Sequence, residues 1–372
     1  MSVGQYPIRA LNLSPYKFFF NLFERFVGRD KLVYVADAPD IISIGVSGGA
    51  GGLGIYYLHR QIVATRLKYG FKPVIAAVSG ENATLSGVAL DYGLSTSAPT
   101  SDNHLHYNWN LNLQFGRALL DPNGADAQEL RAARAKPKTK FCNYVFSNDS
   151  MPTTRMRREF CRALSRYKRV DCAGKSMNNT DALFKLDAQI SSRWRAKLAF
   201  LSDYKFTIAF ENESADNYLT EKPLQALAVG SAPIYWGCPQ VAEYINPRSF
   251  INARDFDSFD ALVEHVKRVD NDPDLYAEYR DAPPILPSSR FYEMQREAPP
   301  FLERIAAEAL RRRRTHLEFT DGLLKWRRYY QVGKLIYANR QLERRYKKRL
   351  IMRLPGVKKT LLVKRMALRR SR

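Results

Sequence analysis

Between two apolar runs, YKFTIAF and LQALAVGSAPIYWG, the stretch FENESADNYLTEKP (Phe210 to Pro223) gathers four carboxylates, two asparagines, a tyrosine and a lysine. Its end, Thr220-Glu221-Lys222-Pro223, reads as the start of a helix after a strand and a loop, with Thr220 as cap and the proline in the first turn. The free N–H groups of a helix N-terminus, with a lysine beside them, form an anion site suited to a diphosphate. Glu221 can accept hydrogen bonds from a ribose diol, and Arg157, in the helix after an earlier strand, can supply a second positive group. The plainer reading of the same residues is a capped helix with solvated charges. Another carboxylate, Glu81, lies in SGENAT directly after the apolar strand KPVIAAV. A turn at a strand's C-terminal end is where a general base can stand, partly desolvated and within reach of a substrate hydroxyl. A structural turn glutamate is the alternative.

Three further stretches imitate sites. GVSGGAGGLG matches G-x-G-x-x-G at Gly49, Gly51 and Gly54, but HRQIVATRLKYGFKP downstream lacks the acid a dinucleotide fold requires, so a connection after a strand is expected. Asp255-Phe256-Asp257 mimics an Asp-x-Asp metal site for a nucleotide diphosphate. It precedes FDALVEHV, however, where Asp257 or Ser258 reads as a helix cap, as does Asp272 before Pro273. His104 and His106 in HLH point to one side of a strand with no third ligand nearby, and are expected to be ordinary surface or cleft residues. No metal site is expected. Cys142, Cys161, Cys172 and Cys238 form neither a Cys-x-x-Cys motif nor a zinc spacing, and are expected to be reduced thiols of a cytosolic protein.

These groups need elements to hold them. In the N-terminal part, IRALNL, LVYV, IISIGVS and KPVIAAVSG read as strands. SPYKFFFNLFERFVG reads as a helix with Ser14 as N-cap, Pro15 at the first helical position and Gly28 at the end, and YYLHRQIVATRLKY has helical character. Residues 125–140, ADAQELRAARAKPKTK, are polar and read as a linker. A second series then alternates FCNYVFS, RVDCAG, KFTIAF, APIYWG and SFINA as strands with TRMRREFCRALSRY, AKLAFLSDY, TEKPLQALAVG and FDALVEHVKRV as helices. The class is α/β with parallel sheets. The expected domains are 1–140, 141–285 and a C-terminal segment 286–372. Two such α/β domains leave a cleft, and ligands of these sheets bind outside the strand C-terminal ends.

At 372 residues and 45% hydrophobic, the chain has material for two cores and an appendage, which excludes global disorder. No run of about 18 uncharged apolar residues predicts a membrane-spanning helix, and the N-terminus lacks a secretory pattern. The net charge is +22, and the last 62 residues, with 22 Lys and Arg against Glu318, Asp321 and Glu343, carry +19 of it.

The run YKFTIAFENESADNYLTEKPLQALAVGSAPIYWGCP resembles the signature of glycosyltransferase family 10, the α1,3/4-fucosyltransferases. That pattern runs Y-K-F-x-x-x-F-E-N-S, D-Y-x-T-E-K, then P-I-Y-W-G. NPRSFINARDFDSFDALVEHV, VFSNDSMPTTRMRREFCRAL, RVDCAGKSMNN and SGENATLSGVALDYGLS are also similar to that family, so the resemblance extends from about Ile8 to Arg280. Three departures stand out: Glu213 where Ser is usual, no proline in ENATLS, and Asn217 between Asp216 and Tyr218. The Cys-x-x-Cys pairs of animal members are missing, as in the bacterial branch.

The resemblance implies the two-domain GT-B fold and inverting transfer of L-fucose from GDP-fucose, with no metal or other cofactor required. It implies Glu81 as general base, Arg157 and Lys222 as charge balance for the departing diphosphate, and Glu221 on the ribose. Asn212 and Tyr218 would line the nucleotide site and Glu211 would lie near the fucose. The implied acceptor is a β-galactoside or GlcNAc-containing glycan such as N-acetyllactosamine on lipopolysaccharide, linked α1,3 or α1,4.

In the tail, Leu342, Tyr346, Leu350 and Leu354 recur every four residues among Arg and Lys. Such a helix can lie on an anionic membrane surface, and the resemblance to bacterial members, which carry a similar basic amphipathic C-terminus, implies a peripheral place on the cytoplasmic face of the inner membrane. Nucleic acid attracts the same charges but is not the expected partner. The rival to catalysis is a basic membrane or nucleic-acid binding module on a degenerate transferase core.

Overall fold

The computed structural model describes residues 7–315 apart from 15–16, 47–52, 71, 81–84, 86–89, 97–98, 100, 150–153 and 191. The chain divides into two units, one of Met1–Leu94, Thr100–His104 and Pro300–Arg372, the other of Ser95–Pro99 and Leu105–Pro299. Residues 105–140 thus go with the second unit and those from Pro300 with the first, whereas the sequence suggests boundaries at 140 and 285.

The first sheet comprises β1 (Ile8–Asn12), β2 (Leu32–Tyr34), β3 (Ile41–Val46), β4 (Val74–Ser79), β5 (Tyr92–Ser95) and β6 (His104–His106) in the order β2-β1-β3-β4-β5-β6. β1 runs parallel to β2 and β3, and β3 parallel to β4. Helix α1 (Phe18–Phe26) follows β1, and α2 (Leu53–Tyr69) joins β3 to β4. Ile42 and Ile44 of β3 and Ile75 and Ala77 of β4 pack with Leu58 and Ile62 of α2. These strands read as predominantly apolar runs because parallel sheets are covered on both faces. α1 starts later than Ser14 and Pro15 suggest: Lys17 stands at its N-cap and makes no side-chain cap bond. Burial of Phe19, Phe20, Leu22 and Phe23, not cap chemistry, sets its position. Gly28 ends it at φ 124°, where a side chain would be strained. Gly49 and Gly51 lie outside the described residues, and Gly54 is the second residue of α2.

The second unit opens with α3 (Gln114–Leu120) and α4 (Ala125–Ala135), followed by β7 (Lys140–Tyr144), α5 (Thr154–Ser165), β8 (Val170–Cys172), α6 (Ala182–Gln189), α7 (Arg193–Leu201) and β9 (Tyr204–Phe210). Then come α8 (Glu221–Ala228), β10 (Ala232–Trp236), β11 (Ile251–Asn252), α9 (Phe259–Asn271), α10 (Pro273–Asp281) and α11 (Arg290–Thr315). The sheet order is β11-β10-β9-β7-β8, with every pairing parallel. The chain steps from β7 to β8 on one side and crosses back to β9 on the other, so β7 and β9 flank a topological switch point, where open α/β sheets bind ligands. Phe206, Ile208 and Phe210 pack with Phe160 and Leu164 of α5 and Leu262 and Val266 of α9. Outside that cluster α7 and α8 pack against β9, and α8 against β10.

The supposed linker at 125–140 is instead α4 and a clamp. Its Ala-rich stretch favours helix, but no residue of α4 is fully buried, so it lacks the apolar stripe that marks a packed helix. Beyond it, Lys138 Nζ donates to the carbonyls of Ala133 (2.9 Å), Ser202 (2.9 Å) and Val229 (2.7 Å), at the C-terminal ends of α4, α7 and α8. One ammonium thus satisfies carbonyls that helix ends leave free. Elsewhere the caps follow the sequence. Ser258 accepts from Ala261 N at 3.1 Å, and Asp272 accepts from Asp274 N and Leu275 N at 3.0 Å each. The Asp255–Asp257 stretch therefore leads into a capped helix. All four cysteines are buried free thiols.

Asp270, at the end of α9, is fully buried and takes Lys205 Nζ at 2.9 Å, Lys168 Nζ at 3.0 Å and Tyr167 Oη at 3.0 Å. Burial pushes its carboxyl up, but Lys205 and Lys168 outweigh this and hold it below the usual carboxylate range. A depressed folded-state value means that the stabilisation is complete above the unfolded value of about 3.9 and is lost as pH falls through the folded one. Asp270→Asn is expected to cost about 1–2 kcal/mol at pH 7, and much less near pH 3. Urea unfolding of both proteins at the two pH values checks this; an equal cost at both would refute it.

Candidate active site

β9 delivers Glu211 and Asn212 to the C-terminal edge of the second sheet, where Glu211 N still bonds Trp236 O of β10 at 2.8 Å. The next residues turn through a loop to Thr220 and the first turn of α8. Glu211 is 1% exposed and is the hub of that loop. Its Oε1 accepts Thr220 N at 2.8 Å, and its Oε2 accepts Thr220 Oγ1 at 2.7 Å and Lys222 Nζ at 2.9 Å. Lys222 Nζ also donates to Thr220 Oγ1 at 2.9 Å. Thr220 occupies the N-cap position but makes no side-chain cap bond, because its hydroxyl serves Glu211. The expected side-chain cap is corrected accordingly: the hydroxyl is turned to donate to the buried Glu211 carboxylate and to accept from Lys222 Nζ, which takes its oxygen away from the N–H groups of α8.

Burial pushes the Glu211 carboxyl above its usual range, with Lys222 pulling the other way. Glu221, the first residue of α8, is likewise pushed up by burial, but Lys222 and Lys197 bring it below the usual range. Lys197, on α7, is itself pushed down by burial and supported first by Glu221. Two carboxylates and two ammonium groups therefore share the N-terminal end of α8. Sequence reasoning missed Lys197; the one available signal is a lysine between Ala196 and Leu198, both buried.

Arg157, from α5, is 1% exposed and stacks over the Phe146 ring at 4.2 Å. Its Nη1 donates to Asn212 Oδ1 at 3.0 Å, and its Nη2 donates to the carbonyl of Asn148 in the loop after β7. Arg157 thereby ties the loops after β7 and β9, the two sides of the switch point. Glycine is required beside Glu211: a Cβ on Gly237 would lie 2.4 Å from Glu211 Cγ and 2.8 Å from the Tyr235 hydroxyl. Tyr218 is fully buried in the loop.

Of the residues singled out from sequence, Arg157, Glu211, Asn212, Glu221 and Lys222 come together at one end of the second sheet, with Tyr218 in the same loop. Glu81 lies outside the described residues, two positions past the end of β4. His104 and His106 are buried on β6, not surface or cleft residues, and His106 Nε2 is 3.0 Å from Tyr244 Oη. A strand of three residues gives no periodicity from which to read that burial. Burial pushes the His104 imidazole down, toward the neutral form.

The model of the C-terminal region of glycosyltransferase family 10 (fucosyltransferase) matches residues 135–283. The α-(1,3)-fucosyltransferase FucT of Helicobacter pylori is 35% identical over 139 residues, 37% of this chain and 26% of that protein. A putative fucosyltransferase of Acanthamoeba polyphaga mimivirus is 35% identical over 143 residues, 38% of this chain and 23% of that protein. The matched region thus spans about a quarter of each relative. A crystal structure of an α1,3-fucosyltransferase superposes with TM-score 0.60 at 22% identity, covering 82% of this chain and 92% of that one. The fold is that of the solved α1,3-fucosyltransferase, and residues 135–283 are similar to the C-terminal region of glycosyltransferase family 10.

Proposed function

We propose that the protein is an inverting fucosyltransferase that moves L-fucose from GDP-fucose to a hydroxyl of a GlcNAc-containing glycan. The observation that carries this reading is the cluster at the β7/β9 switch point. Lys222 is anchored on Glu211 at the N-terminus of α8, and Arg157 on Asn212 beside it. A solved α1,3-fucosyltransferase of the same fold was crystallised with GDP-fucose, which supports the choice of donor. In this proposal Glu221 holds the ribose, Asn212 and Tyr218 line the nucleotide site, and Glu211 lies near the fucose while fixing Lys222. Glu81 takes the proton of the acceptor hydroxyl. The oxygen then attacks the anomeric carbon opposite the diphosphate, and the bond to GDP breaks. Negative charge growing on the leaving phosphate meets Lys222, Arg157 and the N–H groups of α8, a preorganised electrostatic cradle. We assign charge balance to these cations and no essential role to a metal.

The acceptor is proposed as a β-galactoside such as N-acetyllactosamine on lipopolysaccharide or a similar surface polysaccharide, joined α1,3 or α1,4. The basic segment, including Leu342, Tyr346, Leu350 and Leu354, lies outside the described residues. Its charge supports a peripheral place on the cytoplasmic face of the inner membrane. Incubation with GDP-fucose and N-acetyllactosamine in EDTA is expected to give fucosylated product. No transfer to this or to a panel of β-galactosides, with or without divalent metal, would overturn the reading.

A further inference from the structure

The loop that carries Tyr218 is held from behind by residues so far without a role. Asn217 sits at φ 61°, a left-handed conformation that, apart from glycine, asparagine adopts most readily. Its backbone N–H donates to Gln240 Oε1 at 3.2 Å, and Gln240 Nε2 donates to Asp216 Oδ1 at 2.9 Å. Its side-chain oxygen accepts Tyr244 Oη at 2.7 Å and Arg290 Nη1 at 3.1 Å. The one proton of the Tyr244 hydroxyl goes to Asn217, so the His106 imidazole, 3.0 Å from that hydroxyl, must donate from Nε2. Arg290 is braced by Glu243 at 3.0 Å and lies over the Tyr244 ring at 5.4 Å. On the far side of Tyr218, the Leu219 carbonyl accepts Asn108 Nδ2 at 3.0 Å. Tyr218 is thus suspended between two anchors, one of which is a left-handed residue kept in place by a buried relay.

We propose that Tyr244, oriented by His106 and joined by Arg290 on the side-chain oxygen of Asn217, is a positioning residue that presets this turn and thereby places Tyr218 and Thr220 for the nucleotide. Asparagine enters the left-handed region at less than the roughly 1–2 kcal/mol that it costs most L-residues, but the turn still has to be held there. Three directed hydrogen bonds to one residue hold it. The inference rests on the nucleotide-sugar reading above.

Calorimetric titration with GDP, well below the unfolding midpoint of each protein, tests it. Tyr244→Phe removes one oxygen and keeps the ring packed 5.3 Å from that of Phe291, so the fold is retained. It is expected to weaken GDP binding about tenfold, the scale set by one buried hydrogen bond with its partner left unsatisfied. Asn217→Gly tolerates the backbone angle but lacks the oxygen, and is expected to lose as much. The double variant should bind no more weakly than either single one, because both break one network. Asn217→Asp, which keeps an acceptor for Tyr244 and Arg290, should recover most of the affinity. Unchanged affinity in Tyr244→Phe and Asn217→Gly, or strictly additive losses, would overturn the positioning role. A wild-type protein that does not bind GDP overturns the nucleotide reading itself, and the inference with it.

Discussion

Lys222→Ala is expected to lower kcat/KM for GDP-fucose by about 10²–10³-fold, the range seen when one preorganised stabiliser of transition-state charge is removed. The ammonium is 13% exposed and its partner carboxylate fully buried, so the pair acts in a poorly screened environment. The same substitution strands Glu211, already pushed up by burial, with Thr220 as its remaining partner in the ring. Breaking a buried pair from one side costs about 3–5 kcal/mol, so the midpoint of unfolding should fall too. The two effects separate when Lys222→Ala with Glu211→Gln is compared with Glu211→Gln alone. The neutral amide removes the stranded charge and should restore much of the stability, while turnover stays low. Recovery of turnover together with stability would show that Lys222 serves the fold and not the leaving group.

Glu81→Ala has the other large expected effect. If Glu81 removes the acceptor proton, kcat should fall by about 10²–10⁴-fold, the usual share of a general base. GDP affinity should stay unchanged, because the base acts on the acceptor and not on the nucleotide. Pre-steady-state transfer with saturating donor, paired with a GDP titration, reads both quantities. Turnover close to wild type would end the assignment, and a parallel loss of GDP affinity would move Glu81 to the donor side.

The sequence exposes some of this architecture and hides the rest for physical reasons. Buried parallel strands such as β4 and β9 are predominantly apolar runs, and the caps at Ser258 and Asp272 are local chemistry, so both are legible without a structure. Helices α4 and α6 have no fully buried residue, and the first reads in the sequence as a polar linker. Thr220 shows the limit of local rules: it stands where a cap should, but a carboxylate nine residues earlier claims its hydroxyl. Glu211, Asn212, Glu221 and Lys222 are legible because they lie in one motif, and Arg157 because it lies in a second block, VFSNDSMPTTRMRREFCRAL, that is similar to the same family. Lys197, Tyr244 and Arg290 come from α7, from beyond β10 and from α11, and only the folded chain brings them to the same loop.

The end of α11 also bears on how the protein is made. Arg312 Nη2 pairs with Asp91 at 2.9 Å, next to Arg66, and Arg313 Nε pairs with Asp40 at 2.9 Å, next to Arg9. Asp40 and Asp91 stand just before β3 and β5, within the first hundred residues, and their counter-charges lie more than two hundred residues later. During synthesis the first unit thus emerges with two half-paired carboxylates, whose second cations follow only with positions 312 and 313. The second unit, essentially complete by Pro299, has all its residues before then. The unit that begins the chain is therefore the last to receive both of these ion-pair partners.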